Sequence, residues 1–189
     1  RVALVRSLAI NPSLVLMDEP LSNLDYNLKS NLRSMIRKLL KKFKTTAVIV
    51  THDMNDAMEM SDKIIVIDEG KVIQEGPPDE IYNNPISKKV ALLFGKTNFI
   101  PLKMLPDSKN YFFDDETKES WISIRPNQFI IYDEITKYKG KVYIGEIKSI
   151  KKLASEFKLE LKCDNLLLNI SLNTLTELFV GQELKVIIP

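Results

Sequence analysis

The sequence predicts a two-part molecule: an α/β half built on a parallel sheet, then a small all-β half folded as a barrel or sandwich. Three observations predict it. Through residue 94, short wholly apolar runs alternate with segments of helical period, and the order strand, helix, strand implies parallel pairing by crossover. Near Gly95-Lys96-Thr97-Asn98 the texture changes to short alternating stretches divided by turns, as many small antiparallel strands require. Composition allows a packed core in each half, because 44% hydrophobic and 28% charged among 189 residues is ordinary for globular proteins and foreign to disordered or collagen-like chains.

The elements follow in order. Residues 2–9 carry apolar side chains on a helical period, and Asn11-Pro12-Ser13 breaks it. Leu14-Val15-Leu16-Met17 is wholly apolar, the pattern of a strand buried on both faces. A long amphipathic helix comes next, with Leu28, Leu32, Met35, Ile36, Leu39, Leu40 and Phe43 at spacings of three and four. Its opposite face, Lys29, Arg33, Arg37, Lys38, Lys41 and Lys42, reads as a solvated surface. Residues 47–50 and 64–67 are further buried strands, and Asp68-Glu69-Gly70-Lys71 turns the chain into a hairpin with Val72-Ile73-Gln74. In the second half, strands are expected over 121–124, 129–132, 141–150, 157–162, 166–172 and 184–188. Tyr138-Lys139-Gly140 and Val180-Gly181-Gln182 serve as turns.

Charge and cysteine content exclude several function classes. With 27 Lys+Arg against 25 Asp+Glu the net charge is +2, which argues against a nucleic-acid binder held by a strong basic field. No apolar run approaches the ~18–20 residues that span a bilayer, so a membrane role must go through a partner. The single cysteine, Cys163, excludes an internal disulfide framework and a multi-cysteine metal site, and fits a reducing compartment.

The candidate chemistry sits at strand ends. Asp18-Glu19-Pro20 follows the apolar run 14–17, and α/β sheets place ligands at the carboxyl ends of their parallel strands. Adjacent residues of a strand face opposite ways, so the two acids cannot share one task. One can hold Mg²⁺ while the other orients or deprotonates a water, the division of labour that phosphoryl transfer requires. His52, the one histidine of the chain, follows the strand at 47–50 and would share that edge. Ser22-Asn23-Leu24-Asp25 lies between these two strands.

Leu14-Val15-Leu16-Met17-Asp18-Glu19-Pro20 resembles the Walker B strand of ATP-binding-cassette (ABC) ATPases. Ser22-Asn23-Leu24-Asp25 resembles their D-loop, and Thr51-His52-Asp53 their switch-histidine motif. Arg1-Val2-Ala3-Leu4-Val5-Arg6 resembles the helix that follows their signature sequence. Beyond these, Gly70-Lys71-Val72-Ile73-Gln74-Glu75-Gly76-Pro77 and Glu80-Ile81-Tyr82-Asn83-Asn84-Pro85 resemble the end of the ATPase domain in importers of polyamines, ferric iron or sugars. Ile124-Arg125-Pro126, Tyr143-Ile144-Gly145 and Val180-Gly181-Gln182-Glu183 are similar to phrases of the OB-like TOBE domain appended to those subunits.

The resemblance implies a partial ABC ATPase domain over 1–95 and an OB-like TOBE barrel, regulatory or dimerising, over 96–189. It also implies ATP and Mg²⁺ as ligands of the full-length subunit. By its motifs Asp18 would hold the metal, Glu19 would act as general base, His52 would contact the γ-phosphate, and Asp25 would reach the ATP site of a second copy. Partners would be that second copy, membrane permease subunits and, indirectly, a solute-binding protein, with no nucleic acid. The location would be cytoplasmic, on the inner face of the membrane. Met54 stands where these importers usually carry Gln, and Asn23 where many carry Ala.

A phosphate cradle needs a glycine-rich turn running into Lys-Ser/Thr. The nearest approach, Gly140-Lys141-Val142-Tyr143-Ile144-Gly145, lacks that ending and reads as two turn or bulge glycines. With no cradle and no signature sequence, and with Arg1 opening in mid-pattern, the chain is expected to be an inactive C-terminal piece of an active subunit. The rival expectation is an ABC-type ATPase acting on nucleic acid through an OB tail. The aromatic cluster Tyr111, Phe112 and Phe113 would serve it as a stacking platform, although Asp114-Asp115-Glu116 beside the cluster would repel phosphate.

Overall fold

A computed structural model of the chain describes residues 10, 12–22, 24–132, 140–173 and 177–188. The expected helix at 2–9, residue 11 of the breaker, position 23 and residues 138–139 of a turn lie outside them. Two compact units separate, Arg1–Ile81 and Tyr82–Pro189.

In the first unit, β1 (Leu14–Asp18) pairs in parallel with β2 (Thr46–Val50), Leu14 opposite Thr46 and Asp18 opposite Val50. The crossover is α1 (Tyr26–Phe43). Asp25 caps its start by accepting the Leu28 N–H, and Lys44, at a left-handed φ of 52°, ends it with its N–H turned back to the last turn. Leu32, Ile36 and Leu40 of α1 pack with Val15, Met17, Leu21 and Met60. After α2 (Met54–Met60), β3 (Ile64–Asp68) and β4 (Lys71–Gly76) form an antiparallel hairpin. Glu69 and Gly70 at its tip have φ of 47° and 74°, the pair of positive values a type I′ turn demands. The short helix α3 (Pro78–Asn83) follows.

Two expectations for this unit are corrected. Residues 64–67 form a strand, yet among the described residues β3 pairs with β4 alone, in a sheet apart from β1-β2. A hairpin neighbour two residues away is reached at little loop-closure cost, and the apolar run signals a strand without naming its partner. Nor is the strand at 14–17 buried on both faces. Leu16 is 72% exposed and Val50 58%, because among the described residues α1 covers one side of this two-stranded ribbon and nothing covers the other.

The second unit contains α4 (Lys88–Leu93), started by the Ser87 hydroxyl accepting the Val90 N–H at 3.2 Å. Strands β5 (Asn98–Pro101), β6 (Phe112–Asp114) and β7 (Glu119–Ile124) make an antiparallel sheet in the order β5-β7-β6. The larger antiparallel sheet combines β8 (Ile130–Ile131), β9 (Lys141–Lys152), β10 (Phe157–Cys163), β11 (Leu166–Leu172) and β12 (Glu183–Ile188), in the order β11-β10-β9-β12-β8. Ile147, Leu159, Leu161, Leu168, Ile170 and Val186 form the core of this unit together with Ile100 and Phe129. This five-stranded sheet curls into a half-barrel whose edges, among the described residues, are β8 and β11, which is compatible with the small all-β domain expected. Asn98 joins β5 to β11: its Nδ2 donates to the Asn169 carbonyl at 2.8 Å, and its Oδ1 accepts the Asn169 N–H at 2.6 Å.

Residues 82–95, grouped by sequence with the first half, are fastened within the second unit by Arg125. This guanidinium is 1% exposed, stacks 4.2 Å from the Tyr82 ring centre, and donates to the carbonyls of Tyr82, Ala91 and Gly95. Burial pulls its pKa below the usual arginine value, partly offset by Tyr82. Among the described residues no helix is long and apolar enough to cross a membrane.

Candidate functional site

Parallel, in-register pairing brings the carboxyl ends of β1 and β2 side by side, so residues far apart in sequence become neighbours there. The strand stops at Asp18. Glu19 turns into the left-handed region at φ 44°, a conformation uncommon for a residue with a side chain. Main-chain bonds hold it there: its N–H donates to the Val50 carbonyl at 2.9 Å, and its carbonyl accepts the Ser22 N–H at 3.2 Å and the Ser22 hydroxyl at 3.0 Å.

That turn aims the Glu19 carboxylate at the end of β2. Oε1 accepts the His52 main-chain N–H at 3.1 Å and lies 2.6 Å from His52 Nδ1. With an ionised carboxylate as acceptor, Nδ1 carries the proton and Nε2 is the free nitrogen. The imidazole is 80% exposed and the Glu19 side chain 33%, so the pair faces solvent.

The structure thus brings together Glu19 and His52. Asp18 lies beside them on the same edge, exposed on the open face of the ribbon that also presents Leu14 and Leu16. Among the described residues no three His, Cys, Asp or Glu gather into a metal cage. An exposed single carboxylate at a strand end does fit Mg²⁺, which keeps most of its waters and takes one or two carboxylates plus phosphate oxygens. Asp25 stands apart: its Oδ1 is committed to the Leu28 N–H at 3.0 Å, and it makes no hydrogen bond to Glu19 or His52.

The sequence reading missed a charged network behind His52. Lys29, Arg33 and Arg37 do not form a solvated face. Lys29 Nζ lies 3.2 Å from Asp53, and Arg37 donates to Asp62 at 2.9 Å and to the Glu59 and Ser61 carbonyls. Arg33, 2% exposed, donates through Nε to Asp56 at 2.6 Å and reaches Asp53 and Glu59 at 3.3 and 3.4 Å. Burial alone would lower the Arg33 pKa, but the hydrogen bond and charge of Asp56, with Asp53 and Glu59, hold it above the ordinary value. Burial would raise Asp53, and the Lys29 hydrogen bond, the Asn55 N–H and the Arg33 charge bring it below the ordinary carboxylate value. A signal existed: acids at 53, 56 and 59 step along one helix face opposite cations at 29, 33 and 37.

In the second unit, Phe112 is buried and meets the Phe99 ring edge-on at 6.2 Å, while Tyr111 and Phe113 are exposed. The three aromatics therefore do not form one platform. Asp114 is bound instead to Lys88, at 2.7 Å.

No protein-family model matches the chain. Curated relatives do. It is 36% identical over 195 residues, covering 98% of this chain and 43% of the relative, to a spermidine/putrescine import ATP-binding protein of Mesomycoplasma hyopneumoniae. Against the protein of the same name from Malacoplasma penetrans, identity is 37% over 165 residues, 80% of this chain and 27% of the relative. Against an Fe(3+) ions import ATP-binding protein of Pectobacterium atrosepticum it is 40% over 135 residues, 67% of this chain and 38% of the relative. The chain therefore spans less than half the length of each of these relatives.

Proposed function

Because this chain is homologous to the C-terminal part of the ATP-binding subunits of ABC importers, we propose that it carries the water-activating edge of their ATP site, followed by a TOBE-type β domain. The observation that supports this most is the Glu19–His52 contact at the joined ends of two parallel strands, 2.6 Å between Oε1 and Nδ1. The contact supports reading the pair as a carboxylate that takes a proton from water and an imidazole that hydrogen-bonds a terminal phosphate.

In this reading Glu19 orients and deprotonates the attacking water. His52 contacts the γ-phosphate in one of two ways: with both ring nitrogens protonated it donates from Nε2, or it leaves Glu19 and donates from Nδ1, which frees the carboxylate for water. Asp18 holds the magnesium ion, whose charge offsets that of the phosphates when bound. Asp25, at the start of α1, faces the site of a second copy. Two copies, paired permease subunits at the cytoplasmic face of a membrane, and a solute-binding protein outside it make up the importer. Its cargo is of the polyamine or ferric-ion class. The residues that cradle the phosphates belong to the rest of the full-length subunit, and the 189 residues alone do not turn ATP over.

The test is Glu19→Gln in the full-length subunit. Turnover should fall by about 10²-fold or more, the usual span for losing a general base, while ATP binding persists. Hydrolysis at the wild-type rate would remove Glu19 from this role and the reading with it.

A further inference from the structure

His52 sits on a backbone stretch whose two flanks are tied to one buried cation. On one side, the Thr51 hydroxyl donates to Asp56 Oδ2 at 3.2 Å and accepts the Asp53 N–H at 3.1 Å. On the other, Asp53 Oδ1 caps α2 through the Asn55 N–H at 2.9 Å, and its Oδ2 meets Arg33 Nη2 at 3.3 Å and Lys29 Nζ at 3.2 Å. Arg33 Nε closes the circuit on Asp56 Oδ1 at 2.6 Å. Both neighbours of His52 thus lead to a guanidinium rooted in α1.

We propose that Arg33 is a positioning residue for the His52–Glu19 pair, fixing Thr51 and Asp53 against α1 so that the imidazole meets the carboxylate with little reorganisation. It acts through the main chain and is itself buried, 2% exposed. Only a planar fork can serve both acids at once; an ammonium reaches one geometry at a time. The catalytic value of this pose rests on the proposed ATPase reading, whereas the pose itself does not.

His52 is the chain's one histidine, so its ring resonances in the 189-residue chain report on the pair without overlap. Glu19→Ala supplies the signals of an unpaired ring. Arg33→Lys and Asp53→Asn should move the His52 ring signals at least halfway towards that reference in chains that remain folded by circular dichroism. Asn keeps the helix cap, so Asp53→Asn removes mainly the ionic tie and decides the matter if Arg33→Lys does not fold. Ring signals unchanged in folded Asp53→Asn and Arg33→Lys overturn the proposal, as do wild-type signals identical to those of Glu19→Ala. In the full-length subunit, Arg33→Lys should lower kcat on the order of tenfold with KM for ATP unchanged. If Glu19→Gln still hydrolyses ATP while the Arg33 and Asp53 variants shift the ring, the ATPase reading falls and the positioning role stands.

Discussion

Cys163 packs tightly against Gly145 in the five-stranded sheet. A Cβ built on Gly145 would lie 2.5 Å from Cys163 Sγ and 2.6 Å from the Lys162 carbonyl, closer than real atoms pack. Burial, with a smaller push from the charge of Asp164, raises the Cys163 thiol pKa to about 11, so little thiolate is present at neutral pH. Gly145→Ala should therefore cost about 1–3 kcal/mol by overpacking. It should also expose the thiol: Cys163 resists alkylation at pH 8 in the folded wild type and reacts in the variant. Equal melting temperatures and equal labelling would contradict this. From the sequence, Gly145 reads as a turn or bulge glycine. It lies inside β9, away from the register shift that skips Lys148, and the close approach of β10 that demands glycine there leaves no mark in the local pattern.

Among the elements, the long helix and the apolar strands were readable because their periods are set by burial, which the sequence records directly. Helix α2 was not. It has seven residues, too few for periodicity to stand out, and its start is marked only by the Asp53 cap. The Glu19–His52 edge followed from strand order, whereas the Arg33 network required knowing that α1 and α2 lie face to face. Acid should dissolve part of that contact. Asp53 titrates below the ordinary carboxylate range in the folded state, so its ionic ties add stability in full above that range and lose it as pH falls through the folded value. Asp53→Asn should lower stability at pH 7 by about 1 kcal/mol, and the difference should be smaller at an acid pH below the ordinary carboxylate range. Thermal melts of both chains at the two pH values check it; a gap that persists unchanged in acid counts against the pairing.

On the scale of the whole molecule, the two units differ in how completely they cover their apolar surface. The second encloses a core that runs from Ile100 through Val186. The first leaves Leu14, Leu16, Val48 and Val50 in a stripe along one side of β1-β2, a pattern that the wholly apolar sequence runs had suggested would be covered. The runs were read correctly as strands, but no single sequence says what lies above them. An open stripe predicts that the chain binds an apolar dye such as anilinonaphthalene sulfonate while folded. Leu16→Lys should weaken that binding and leave stability within about 0.5 kcal/mol, since the residue loses little packing. A large loss of stability would mean the face is covered after all. The clasp made by Arg125 has a different consequence. Its three acceptors are peptide carbonyls, which every amino acid supplies, so the hydrogen bonds themselves ask for no particular side chain at 82, 91 or 95, while position 125 has no substitute able to span them. What restricts the acceptor side is something else: the Tyr82 ring under the guanidinium, the full burial of Ala91 and the positive φ of 101° at Gly95.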